Sequence, residues 1–200
     1  MAITLDALTK STSATFQHTC SGTERFLVVV ASYVPSIFQE TLSIKYAGIE
    51  MVLHSVLVEK KLAMCMGCLA SPPEGTHDAE VTMSAPATML CKAVSFNGVS
   101  QSDPMWGFRD GVGAMVTQIP VNTFSRIDGM TLGVGAVNDV EAGNDKLYGN
   151  QVLAWDDSET ELRMDGIYSI GTSDQDTIPL PNKLTKAAYW TLVIVGINHA

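Results

Sequence analysis

The residues best suited to chemistry are four cysteines and four histidines, and two of the cysteines stand at the spacing of a reactive pair. LAMCMGCLAS, residues 62 to 71, contains Cys65-x-x-Cys68. That spacing serves thiol–disulfide exchange or supplies half of a zinc site. Both uses need the two sulfurs on one side of the backbone. The flanking residues alternate as a β-strand does, which puts Leu62, Met64, Met66 and Cys68 on one face and Ala63, Cys65, Gly67 and Leu69 on the other. In extended chain the two cysteines lie about 10 Å apart, beyond the ~7 Å between Cα atoms that a disulfide tolerates. The expectation is free, buried thiols on opposite faces, with Cys91 buried too and Cys20, just before a turn, partly exposed.

His18, His54, His77 and His199 could enter a Ser/His/Asp or Cys/His site, since such sites are assembled in space rather than in sequence. No G-x-S-x-G elbow and no H-E-x-x-H accompanies them, so the chain reads as non-enzymatic, with a structural role for His77 after Pro-Pro-Glu-Gly-Thr. Carboxylates gather at Asp139, Glu141 and Asp145, at Asp156, Asp157, Glu159 and Glu161, and at Asp174 and Asp176. None of these runs has the spacing of a calcium-binding EF-hand loop, nothing selects two of them as a glycosidase pair, and they read as solvated surface. GFRDGVGAM and GVGAVNDVEAG lack the G-K-[ST] of a phosphate loop and read as turns and rims. No metal and no cofactor is expected. The binding candidates are aromatic: Trp106 and Phe108 in DPMWGFRDG, and Trp155 ahead of an acidic run. Rings in loops stack on sugars or anchor interfaces; the plainer reading is that they plug one end of the fold. Trp190, inside YWTLVIV, is expected to pack on a sheet.

These residues must be positioned by strands. ATFQHT, FLVVVASYV, LSIKYAG, IEMVLHSVLV, LAMCMGCLAS, HDAEVTMS and MLCKAVSF are short, β-branched or aromatic, and separated by SGTE, YAGI, SPPEGT and similar turns. Strands so closely spaced leave no room for crossover helices. About ten to twelve of them predict an all-β fold, a two-sheet antiparallel β-sandwich or a barrel. A single domain spanning residues 1–200 is expected, with 1–13 as an N-terminal arm and 138–165 as long loops, SETELRM forming one short helical turn. FLVVV and TLVIVGI are apolar on both faces, so a loop, a terminus or a neighbouring subunit must cover the outer one.

Composition sets the limits. Across 200 residues the formal charge is −9, with 21 acidic against 12 basic residues, so a basic nucleic-acid face is not expected. The longest apolar runs are too short for a transmembrane helix, and no membrane insertion is expected. The N-terminus lacks the basic and apolar regions of a secretory signal, which predicts assembly in a cytoplasm.

The order of motifs resembles a jelly-roll β-sandwich module of bacteriophage structural and tail proteins and bacterial surface proteins. The residues that carry the resemblance are Ser21, Gly22 and Arg25, then Tyr46 and Gly48, then Pro72, Pro73, Gly75, Thr76 and His77, then Phe96, Gly98 and Val99. It covers residues 14 to 105. It implies a virion component, either a capsid decoration protein or a tail or fibre part, whose partners are copies of itself and other virion proteins. A carbohydrate-binding adhesion module, holding surface glycans at Trp106, Phe108 and Trp155, is the alternative.

Overall fold

Which residues alternate and which do not decides where each strand lies. The computed structural model describes residues 2–35, 42–58, 61–85, 87–118, 122–124, 129–138, 152–159, 162–170, 177–179 and 183–200. Among them are β1 (Thr4–Ser11), β2 (Thr15–Cys20), β3 (Phe26–Tyr33), β4 (Leu42–Tyr46), β5 (Ile49–Glu50), β6 (Val52–Val58), β7 (Leu62–Ala70) and β8 (Gly75–Met83). There follow β9 (Met89–Asn97), β10 (Met105–Gln118), β11 (Asn122–Phe124), β12 (Met130–Val137), β13 (Val152–Glu159), β14 (Leu162–Ile170), β15 (Thr177–Pro179) and β16 (Lys183–Ile197).

The fold is the expected all-β antiparallel sandwich, but with three stacked sheets where two are expected, because the central strands are apolar on both faces and each face takes its own cover. A central sheet, β1-β9-β3-β7-β6, lies between β2-β8-β4-β5 on one side and β10-β16-β12-β14-β13 on the other; β11 and β15 form a separate pair. The central strands explain the layering. Phe26, Val28 and Val30 of β3 join Met64, Met66 and Cys68 of β7 in one core with Leu132, Val134, Val193 and Val195 of the third sheet. Leu27, Val29 and Ala31 join Ala63 and Cys65 in a second core with Ile44, Tyr46, Ala79 and Val81 of the second sheet. The cover that the apolar strands require is therefore supplied by the chain itself.

Cys65 and Cys68 belong to different cores, as the alternation predicts, and both are free and buried. Burial raises both thiols well above the ordinary range, Cys68 to about 12. Gly67 between them is held by packing: a Cβ there would come 3.1 Å from Cβ of Met51 and 3.2 Å from Cβ of Ile44. Cys20 departs from expectation, being fully buried, because β2 points Phe16, His18 and Cys20 inward.

Four other expectations are corrected. The N-terminal arm, 1–13, contains an edge strand: β1 pairs with β9 from Thr4↔Asn97 to Ser11↔Cys91, and Ile3 is buried against the central sheet. Within the 138–165 loops, residues 139–151 and 160–161 lie outside the described residues, but β13 and β14 pair antiparallel. The described residues of SETELRM are strand, with Ser158↔Arg163 and Glu159↔Leu162 paired, because Leu162 and Met164 alternate into the core and a helical turn could not bury both. DPMWGFRDG is mostly strand as well, since β10 pairs with β16 from Met105↔Ile197 onward.

Removing volume from the doubly covered sheet should be costly. Met66→Ala, at a fully buried position, is expected to destabilise the protein by about 2–5 kcal/mol, read from the urea midpoint. Val52→Ala, at a position 60% exposed, is expected to change it little.

Candidate functional site

The residue types of a hydrolytic site do meet in this fold. They do so at residues that no local motif marks. The alternation of TFQHTC turns His18 inward from β2, leaving it 1% exposed, where it meets β1 and β9 of the central sheet. Its Nδ1 lies 2.9 Å from Thr9 Oγ1 and its Nε2 3.1 Å from Ser95 Oγ. Ser95 Oγ in turn donates to Asp6 Oδ2 at 2.8 Å. Asp6 also accepts from the backbone N–H of Ser21 at 2.9 Å and from the Ser21 hydroxyl.

These bonds fix the proton positions. Ser95 has one hydroxyl proton, and it goes to the carboxylate; Nε2 of His18 must then donate to Ser95, and Nδ1 must accept from Thr9. The order is Asp–Ser–His, with serine in the middle. In a nucleophilic triad the histidine stands in the middle and takes the serine proton. Here Nε2 carries a proton and offers no lone pair, so it cannot act as base toward Ser95. The arrangement ties three strands together.

The electrostatics agree. Burial lowers His18 to about 4, the nearby Asp6 charge opposing that only in part, so the imidazole is neutral at physiological pH. Burial tends to raise Asp6, but hydrogen bonds from the Ser21 side chain and backbone and from Ser95 outweigh it and hold the carboxyl below its usual value. On the other side of His18, Tyr46 donates its hydroxyl to the carbonyls of His18 (3.1 Å) and Gly75 (3.3 Å), and its ring meets His18 and His77 edge-on. Burial raises the Cys20 thiol, although hydrogen bonds with Tyr46 and Ser95 pull it down. His77 is tied by Nε2 to the Glu74 carbonyl at 3.0 Å, a structural position as expected.

The other candidates are dispersed. Phe108, in β10 rather than a loop, stacks on His54 of β6, with ring centroids 3.8 Å apart and planes 18° from parallel. Burial lowers the His54 pKa while Asp110 raises it. Trp106 lies over Gly196 of β16, and Trp190, packed on its sheet as expected, lies over Gly113 of β10. Trp155 stands opposite Gly166 in the β13–β14 register, its side chain outside the described residues. His199 is exposed at the C-terminus. Asp139, Glu141, Asp145, Glu161, Asp174 and Asp176 lie outside the described residues. Among the described residues, no three His, Cys, Asp or Glu side chains are grouped to hold a metal ion.

Arg25 and Gly98 fasten turns of the sandwich. Arg25 donates from Nε to the Pro72 carbonyl at 3.0 Å and also reaches the Gly22 carbonyl. Gly98 adopts φ +75°, and a Cβ there would sit 2.6 Å from the Ala2 carbonyl oxygen. Compared with known proteins, the chain matches no family model, no curated protein and no solved structure.

The buried network makes stability depend on acid. A histidine lowered from 6.5 to about 4 lets the unfolded chain bind the extra proton in that window, so stability is complete above pH 6.5 and falls by about 3 kcal/mol as pH drops to 4. Asp6 adds a loss in the same direction below its usual 3.8. Urea melts across pH should show this slope, and His18→Gln should flatten it between pH 6.5 and 4. Ser95→Ala, which strands Nε2 of His18 without an acceptor, should cost about 1–3 kcal/mol at neutral pH.

Proposed function

We propose that this chain is a non-enzymatic structural component of a phage particle, a capsid decoration protein or a tail or fibre part, acting through protein–protein contacts. The observation that carries the reading is where the polar chemistry is spent. Asp6, Ser95 and His18 join β1, β9 and β2, and Arg25 and Tyr46 fasten turns to strands. The motif residues that resemble the virion module hold the same turns. A protein whose reactive side chains stiffen its sheets, and whose central sheet is shielded on both faces, is suited to bearing load at a contact surface.

The carbohydrate-binding alternative draws less support. Phe108 stacks on His54 and packs against the core, and Trp106 covers Gly196, so both rings serve packing within the fold. On the leading reading, mass spectrometry of purified phage particles from the producing culture should find the chain at a fixed ratio to the major shell protein. Antibody raised against it should decorate those particles at regular positions. Labelling of cell surfaces alone, together with glycan binding lost in Trp155→Ala, would transfer the assignment to adhesion.

A further inference from the structure

The edges of the sheets are unequally protected. Open strand edges offer unpaired N–H and C=O groups, and proteins blunt them with charges, bulges, prolines or cover. In the central sheet, edge strand β1 carries Asp6 and Lys10 and shifts register between Leu5 and Ala7. In the third sheet, β10 carries Arg109 and Asp110 with three register shifts, and β13 carries Asp156, Asp157 and Glu159 with one. In the second sheet, β5 has only two residues, one of them Glu50, and β2 is fastened to β1 through Thr9–His18 and Asp6–Ser21.

In the three stacked sheets the remaining edge is β6, and among the described residues it shows none of these devices. Its seven residues, VLHSVLV, include no Asp, Glu, Lys, Arg, Pro or Gly, and its register with β7 runs unshifted from Val52↔Cys68 to Val58↔Leu62. Among the described residues, β7 is the one strand that pairs with it. Val52 is 60% exposed, and Val112, on the strand whose Phe108 stacks on β6, is 48% exposed.

The sequence of β6 also says what would fit it. Read antiparallel to itself about Ser55, it places Val52 opposite Val58, Leu53 opposite Leu57, His54 opposite Val56 and Ser55 opposite Ser55. No like charges meet and the apolar residues pair. Antiparallel pairing also continues the order of the central sheet, whose ladders all run antiparallel. An isologous twofold contact needs this kind of self-complementarity.

We propose that β6 is a self-pairing edge through which two copies of this chain join antiparallel about a twofold axis at Ser55, fusing their central sheets into one. The inference deepens the assembly reading by naming the surface and the partner.

Sedimentation at high micromolar concentration should find a dimer. Ser55→Lys, which puts two cations opposite each other on the axis, should weaken it about tenfold or more, while Ser55→Thr should retain it. Directly opposed strand residues have Cα atoms about 4.5–5.5 Å apart, within disulfide range, so Ser55→Cys should cross-link on mild oxidation. Leu53→Cys, off the axis, should not, and the four native thiols, all buried, add little background. Far-UV circular dichroism checks that each variant is folded. A monomeric wild type, or an oligomer untouched by folded Ser55→Lys, overturns the proposal. The two readings separate: an oligomer that survives Ser55→Lys removes the edge contact alone, whereas a chain missing from particles removes the virion assignment and leaves the dimer.

Discussion

The structure depends on one constraint: the central sheet is covered on both faces, so strands β3, β7 and β9 have no wet side. Every residue of β3 is buried, and so are seven of the nine in β7. Their backbone groups must be satisfied within the sheet, and every side chain must fit a core. That accounts for the residue types. Cysteine and methionine serve here as compact or adaptable hydrophobes, and Gly67 appears where Met51 and Ile44 press close to the backbone. A motif that resembles a redox pair is produced by the need for small apolar residues on two opposite faces.

The same constraint bears on where the Asp6–Ser95–His18 network sits, beside the β1 edge. A charge within the doubly covered strands would be costly without a partner. At β1 the Asp6 carboxylate is only partly buried and takes three donors, while His18 behind it is buried and kept neutral. The network thus holds its charge near water and extends only neutral bonds inward. It joins the central sheet to the second sheet where apolar contact is giving way to solvent, and its geometry suits fastening better than catalysis.

Much of this was legible in the sequence, and the failures have physical causes. Period-two alternation identified the strands, and the opposite facing of Cys65 and Cys68 followed from it. The apolar runs FLVVV and TLVIVGI signalled a need for cover, but which segment supplies it is a matter of topology, which local patterns do not carry. Trp106 and Phe108 looked like loop residues because DPMWGFRDG is rich in glycine and charge. In the fold, Gly196 and Gly113 on the paired strands make room for Trp106 and Trp190, so glycine here marks close ring packing rather than a turn. The Asp6–Ser95–His18 network joins residues 77 and 89 positions apart in sequence. The one local sign of it was a histidine at an inward position of TFQHTC, between Phe16 and Cys20.

The arrangement also bears on how the protein meets its surroundings. The faces of the central sheet are already occupied, so partners must be met at edges, turns and outer surfaces. Of the edges, those with charges and bulges resist indiscriminate pairing, and β1 further spends its polar groups on holding β2. Protecting the other described edges of the three stacked sheets costs nothing in the core, because edge residues are partly exposed anyway. Leaving β6 plain, straight and self-complementary concentrates association at a single place with a defined direction. In an assembly built from many copies, such restriction decides between a closed, specific contact and open-ended aggregation.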